Sequence, residues 1–470
     1  MKEKKTICDP SELMEVSEVY SENGVVLESF INYLLHAIQQ SDVTGLREAI
    51  RCLHESEVGD ILATLSEEHR ILFVEMAGPD FDFAALTEVD DAIRLDIVDQ
   101  LPNQKIARAV CDLDSDDAVY ILEDLKPNDQ EDILAQIPVQ ERIRLRRSLD
   151  YPQDSAGRRM QTEFIAVPPF WTVGQAIDYI RASENLPNRF SEIFTIEPTF
   201  KLSGILRLDT LLRAGQEEII DEIHDTNAHP ILATDDQEAA AQIFEQYDLL
   251  SAPVVDNTQR LVGVLTIDNV VDVIQEEVTE DIRRLAGVGD EELSDRVHEI
   301  FRSRIGWLFI NLCTAILASV VIGLFNRSLE QMVALAIMMP IVASMGGNAG
   351  TQTMTVAVRA IAIGDLDTYN TKRIIKKELL VGLINGISFA FIIGVITIFC
   401  FGLLSLGFII GIAMIINMIV AAASGIIIPL IMNKVGFDPA IASSIFVTTV
   451  TDIVGFLAFL GLSAWWFGVG

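Results

Sequence analysis

Apolar residues change their spacing twice along this chain. Between Val25 and Leu149 they recur at helical intervals in short bursts, each closed by a proline or an acidic turn, and nothing reads as a strand. Two bursts resemble each other, DDAIRLDIVDQLP (Asp90–Pro102) and DDAVYILEDLKP (Asp116–Pro127), and a shorter echo, DQEDILAQIP, follows. Aspartate at a helix start satisfies free backbone N–H groups and suits the helix dipole. Short helices repeated in this way predict a superhelical, solenoid-like domain. From about Ala156 the pattern shifts: EFIAVPPFWTVGQAIDYIRA reads as strand, turn and helix, and SEIFTIEPTFKLSGILRLDTLLRA as two strands and a helix. The same order returns in AHPILATDDQEAAAQIFEQYDLLSAPVVDNTQRLVGVLTIDNVVDVI, so a β-α-β-β-α unit occurs twice in tandem. A charged, helical stretch follows, QEEVTEDIRRLAGVGDEELSDRVHEIFRSR. After Arg304 come five apolar stretches, near 305–325, 331–357, 379–403, 407–431 and 440–466. Each is long enough to cross ~30 Å of hydrocarbon as a helix.

The expected organisation is multidomain. An N-terminal tail (1–24) precedes an acidic all-α superhelical domain (25–155), two α/β units (156–225 and 226–275), a connecting helix (276–303) and a five-helix transmembrane domain (304–470). Charge sharpens this division. From Phe301 onward nine basic residues face six acids, a net +3, so residues 1–300 carry −37 of a chain whose total is −34. Such acidity argues against a nucleic-acid partner, whose phosphates need Lys and Arg, and suits the binding of cations. The loop after the second span holds Arg359, Lys372, Arg373, Lys376 and Lys377, and Arg302 and Arg304 flank the first span. By the positive-inside rule the N-terminal body and this loop face the cytosol, and five spans then leave the C-terminus outside a lipid bilayer, the cell membrane. The opening MKEKKTICDPSELMEV lacks the apolar core of a signal peptide, and the five cysteines form no CxxC pair of the kind that binds zinc.

One letter is out of place in the last apolar stretch, SSIFVTTVTDIVGFLAFLGL. Asp452 has no basic residue nearby in sequence, and a carboxylate near the bilayer centre costs ~2.5–3.5 kcal/mol on insertion scales. Ser444, Thr448 and Asp452, spaced by four, share a helix face. The second stretch, MPIVASMGGNAGTQTMTVAVRA, is dense in poor helix formers, Pro340, Gly346, Gly347, Asn348 and Gly350. It adds a polar stripe of Asn348, Thr351, Gln352, Thr353 and Thr355 that suits a water-lined path better than lipid. A single carboxylate falls short of the about six to eight oxygens that Ca²⁺ takes, whereas Mg²⁺ dehydrates reluctantly and is held through its waters by one or two carboxylates. Two Asp452 side chains from two paired chains would face one such hydrated ion. Soft metals want Cys, Met or His, and all six histidines precede the spans. No GxxxxGK[ST] motif marks a pump, and a lone aspartate without a second acid or histidine is poor equipment for an enzyme.

The tandem units resemble cystathionine-β-synthase-type (CBS) domains, most closely in the step AAxxFxxYDLLSAPVVD followed by LVGVLTIDNVVDVI. With PIVASMGGNAGTQ in the second span, VTEDIRRLAG in the connector and FDPAIASSIFVTTVTDIVGFLAFLGL in the fifth span, nearly the whole chain resembles the MgtE family of magnesium channels. That resemblance implies a homodimer whose pore is lined by the second and fifth spans. Asp452 is then the selectivity carboxylate and Asn348 the asparagine of a GGN motif with Gly346 and Gly347, beside Ser444 and Thr448. It also implies Mg²⁺ as regulatory ligand as well as cargo. The matching acids are Asp116 and Asp117 in the helical domain, Asp236, Glu238 and Asp248 in the second CBS unit, and Glu277, Glu280 and Asp281 in the connecting plug helix. Carboxylates that repel without metal and are drawn together by it would shut the pore when magnesium is plentiful. Ser444 stands where the family often has asparagine, which leaves open a broader transporter for Co²⁺, Mn²⁺ or Ni²⁺. CBS domains that hold adenosine usually place Asp three residues after Ser or Thr; here the places are Thr266 with Asn269, and Arg207 with Thr210. ATP as a cofactor, and a membrane-anchored nucleotide sensor, are thus the less supported alternatives.

Overall fold

The computed structural model describes residues 19–21, 26–183, 186–187, 189–288, 297–362 and 370–468. Most of the expected tail and residues 289–296 of the expected connector lie outside the described residues. The chain divides into two compact units that part between Glu276 and Glu277.

The first unit begins with helices α1–α9: Glu28–Gln40, Val43–Ile50, Glu55–Thr64, Glu67–Ala77, Asp91–Gln100, Asn103–Asp112, Ser115–Leu122, Pro127–Gln136 and Val139–Leu149. Their starts follow local chemistry. Asp42 accepts from the Gly45 amide ahead of α2, Asp116 and Asp117 sit in the first turn of α7, and Pro127 opens α8. One continuous core of aliphatic side chains, including Leu34, Leu46, Ile61, Ile97, Ile121 and Leu122, runs through all of them. The sequence repeat has a structural counterpart. Arg94 and Tyr120 occupy matching repeat positions, and the Arg94 guanidinium lies 4.0 Å from the Tyr120 ring centroid.

Two three-stranded sheets follow, β1-β2-β3 and β4-β5-β6, each with one parallel and one antiparallel pairing. The first repeat runs from β1 (Ala166–Val167) through helix 173–182, β2 (Glu192–Ile196) and β3 (Leu202–Arg207) to helix 208–213. The second runs from β4 (Ile231–Leu232) through helix Gln237–Tyr247, β5 (Ser251–Val255) and β6 (Leu261–Thr266) to helix Ile267–Leu285. This is the tandem β-α-β-β-α order. The turns of the two hairpins meet: the Leu261 amide donates to the Phe200 carbonyl at 3.0 Å and the Leu202 amide to Gln259 at 3.3 Å. The segment before β1 belongs structurally to the second repeat, since Gln161 and Val264 exchange backbone hydrogen bonds and Ala156 and Met160 pack in its core.

The second unit holds five helices long and apolar enough to cross a membrane, Ile300–Gly323, Val333–Ala362, Asn370–Phe401, Leu404–Val435 and Ser444–Phe467. The fourth is the most enclosed and packs on the second, third and fifth. Apolar side chains such as Leu308, Phe309, Phe391 and Phe399 point outward, as lipid permits. The helix Ile267–Leu285 runs unbroken across the expected 275/276 boundary, so the expected connecting helix begins as the last helix of the second α/β repeat.

Candidate ion pathway and acidic sites

Helix Val333–Ala362, the second span, and helix Pro439–Phe467, which contains the fifth, pack side by side. A methyl group on Gly347 would lie 3.8 Å from Thr448 Cγ2, so these two expected pore positions face each other. Asp452 lies one turn beyond Thr448, about 20 Å along the helix from Pro439 at 1.5 Å per residue. Among the described residues nothing hydrogen-bonds or ion-pairs with its carboxylate. An intrachain structural bond therefore does not account for it. Neighbouring hydroxyls are satisfied within their own helix: Thr449 donates to the Ile445 carbonyl and Thr451 to that of Thr448. Asn348 is exposed on the surface of the single chain, while Ser444 and Thr448 are half-buried.

Polar chemistry that sequence reading missed centres on Asn417 in the fourth span. It is fully buried, its amide donates to the Val342 carbonyl at 2.8 Å, and its side-chain oxygen has no partner. Gly346 and Gly455 flank it. A Cβ at Gly346 would fall 2.2 Å from Asn417 Nδ2, and one at Gly455 2.8 Å from the same atom. Glycine is therefore required at Gly346 by a close approach rather than by flexibility. The available signal was an amide in the middle of an otherwise apolar span.

The expected regulatory acids fall in three places. Asp116 is buried at the start of α7, where Gln161 and Asn269 both donate to its Oδ2, at 3.0 and 2.7 Å; its Oδ1 is buried without a partner. Burial pushes the Asp117 carboxyl well above its ordinary range, and Asp116, Asp114, Glu55 and Asp268 push it further. Burial also raises Asp116, against the hydrogen bonds from Asn269 and Gln161. An orphaned, buried carboxylate oxygen beside further carboxylates suits a cation. Asp236 and Asp248 stand at opposite ends of helix Gln237–Tyr247, Asp236 accepting from the Glu238 amide and Asp248 taking a left-handed conformation. Eleven helical residues separate those ends by about 17 Å, so the structure does not bring them into one site. Glu277, Glu280 and Asp281 lie near the end of the connector helix, within the second unit. There Arg284 bridges Glu280 and Asp438, and burial, with Asp438 and Glu277, raises Asp281 against the pull of Arg359. Leu285 packs with Met354, Val358, Ala440 and Val447, which belong to the second-span and fifth-span helices. Among the described residues no three His, Cys, Asp or Glu side chains converge as a closed metal cage.

Comparison with known proteins bears on all of these regions. A family model for MgtE, described as a divalent cation transporter, matches residues 339–462, one for the MgtE intracellular N domain matches 53–154, and a CBS domain model matches 220–276. The magnesium transporter MgtE of Enterococcus faecalis is 32% identical over 316 residues, covering 67% of this chain and 70% of that protein. The magnesium transporter MgtE of Bacillus subtilis is 27% identical over 441 residues, covering 94% of this chain and 98% of that protein. The magnesium transporter MgtE of Thermus thermophilus is 27% identical over 439 residues, with 92% and 97% covered.

Proposed function

This chain belongs to the MgtE family of magnesium transporters, and from that premise we propose that it is a Mg²⁺-selective channel, closed by cytosolic Mg²⁺, that admits magnesium to the cell. The observation that carries the reading is Asp452, an unpartnered carboxylate midway along the fifth-span helix and one turn from the Thr448–Gly347 contact. Two chains paired about an axis, with the exposed Asn348 of each near it, give a path in which two carboxylates hold a hydrated divalent ion through its waters. A negative-inside potential then draws a divalent ion inward with about 4.6 kcal/mol per 100 mV, from ~2.3 per charge. In this arrangement the N-terminal domains are cytosolic and the C-terminus is outside.

Closure rests on the two acidic places. Mg²⁺ held at Asp116 and Asp117 would neutralise carboxylates that otherwise repel where α7 meets the CBS pair. At the other place the connector's last turn is fastened to both pore helices through Arg284, Asp438 and Leu285, so displacement of the connector moves the pore. A set of weak sites shifts such a two-state equilibrium when each binds the closed form more tightly.

The test is Mg²⁺ current through reconstituted protein as magnesium on the cytosolic face rises from micromolar to about 10 mM, the range over which weak carboxylate sites fill. Inward current that falls steeply with added Mg²⁺, and is lost in Asp452→Asn, supports the channel. Current unaffected by Asp452→Asn places the ion elsewhere and overturns the reading. Ser444, whose hydroxyl replaces a longer amide, favours a second reading of broader divalent selectivity. Competition by Co²⁺, Mn²⁺ or Ni²⁺ at concentrations equal to Mg²⁺ would establish that instead.

A further inference from the structure

The third span, helix Asn370–Phe401, carries one face that no other described part of its unit covers. It packs chiefly on the fourth span, where a Cβ added at Gly382, Gly386 or Gly394 would fall within 3.2 Å of Ala422, Ile415 or Gly407. On the opposite side Arg373, Lys377, Leu380, Ile384, Ile387 and Phe391, spaced alternately by four and three, form one exposed stripe.

That stripe divides sharply by chemistry. From Leu380 to Phe401 the helix holds no charged residue, and at 1.5 Å per residue the run rises about 32 Å, enough to fill the ~30 Å hydrocarbon core of a bilayer. Arg373, Lys376 and Lys377 then stand at headgroup depth, at the end of the span that the positive-inside rule places in the cytosol. All three are exposed, and none of their side chains has an ion-pair or hydrogen-bond partner among the described residues. Glu378, the one acid in this helix, is turned away from them, since it accepts from the Thr353 hydroxyl of the second span at 3.3 Å. Unpaired bases are thus set directly on the end of a lipid-facing apolar track.

We propose that this face binds an anionic phospholipid of the cytosolic leaflet. Arg373, Lys376 and Lys377 hold its phosphate, and an acyl chain lies along Leu380, Ile384, Ile387 and Phe391. A guanidinium fork suits a phosphate, and the long stems of Lys and Arg let their charges reach the headgroups while the stems stay on apolar surface. Net negative charge decides the lipid class, because a zwitterionic headgroup brings an ammonium that these bases repel. A second copy of the chain fits the face poorly. Paired symmetrically there, it would set Arg373 and Lys377 against their own counterparts. A pair formed around the second and fifth spans leaves this outer face to lipid. The proposal goes beyond the channel reading and requires only that the helix spans a bilayer.

The test is native mass spectrometry of the full-length protein in neutral detergent, titrated with phosphatidylglycerol or with phosphatidylcholine bearing the same chains. EDTA is present, so no divalent ion bridges lipid to the acidic domains, and no transport enters the result. Phosphatidylglycerol should bind at least about tenfold more tightly than phosphatidylcholine, since each base near an anionic headgroup contributes roughly fivefold. Arg373→Gln combined with Lys377→Gln should remove most of that preference. Arg327→Gln, a loss of charge on the short helix Asn326–Gln331 between the first and second spans, should leave it intact, while melting curves verify that each variant is folded. Equal affinity for the two lipids overturns the proposal, as does a preference that survives the double variant or falls as far in Arg327→Gln. Displacement of phosphatidylglycerol by an equal concentration of glycerol 1-phosphate also overturns it, by making the bases a site for free phosphate that owes nothing to the apolar track.

Discussion

Asn417 and Gly346 give the sharpest residue-scale expectation. A buried amide oxygen without a partner is costly in an apolar setting, by about 1–3 kcal/mol, and a polar group inside a membrane bundle is a functional candidate. Asn417→Leu, close in volume, removes that orphan oxygen together with the bond to Val342. The variant should melt at or above the wild-type temperature while Mg²⁺ flux falls at least about tenfold, a 1.4 kcal/mol effect. Unchanged flux would mean that Asn417 only packs. Gly346→Ala should damage both properties, since its methyl meets the Asn417 amide at 2.2 Å and overpacking of this kind costs about 1–3 kcal/mol. Asp452 was legible in the sequence because a carboxylate stands out in an apolar run. Asn417 was not, because its significance depends on two glycines in other spans, and no local pattern reports such a contact.

At the scale of elements, the link between α7 and the segment that opens the CBS pair has its own pH dependence. Glu123, just after α7, forms an ion pair with Arg158 at 3.5 Å, both side chains being nearly buried. Burial and Asp124 push the Glu123 carboxyl up to about 7, against Arg159, Arg158 and Arg94. A carboxyl raised in the folded state adds stability that is complete below its ordinary value and lost as pH rises through about 7. In EDTA, docking of the helical domain should therefore weaken as pH rises from about 4.5 to about 7, by about 1–3 kcal/mol in total, and level off above that. Glu123→Gln, neutral throughout, should flatten that slope in thermal melts; a slope equal to wild type would assign the effect to other acids. The tandem α/β repeat was readable because its strands, turns and helices recur in order. What the sequence did not mark is that one helix crosses the expected 275/276 boundary: no cap or breaker interrupts VVDVIQEEVTEDIRRL before Gly287, so the division between units falls inside a continuous helix. Pairing of Gln161 with Val264 was equally invisible, being a long-range backbone contact.

For the whole molecule, charge asymmetry is the governing quantity. Residues 1–300 carry −37 and the remainder +3, so compaction of the front half works against its own repulsion. Monovalent salt screens that repulsion over a Debye length of about 8 Å at physiological strength, without preference for any position. A divalent ion bound at particular carboxylates acts differently, because it stabilises only the arrangement that brings those carboxylates together. The two cases separate in one experiment. Hydrogen exchange at Ser115–Leu122, the helix bearing Asp116 and Asp117, is followed while NaCl or MgCl₂ is added at matched ionic strength to metal-free protein. Site binding predicts protection by millimolar Mg²⁺ at least about tenfold beyond that given by NaCl, with most of the excess lost in Asp117→Asn. Equal protection by the two salts would reduce the acidic body to a screened polyanion. Its response to magnesium would then follow ionic strength alone, and a gate built on Asp116 and Asp117 would have no sensor.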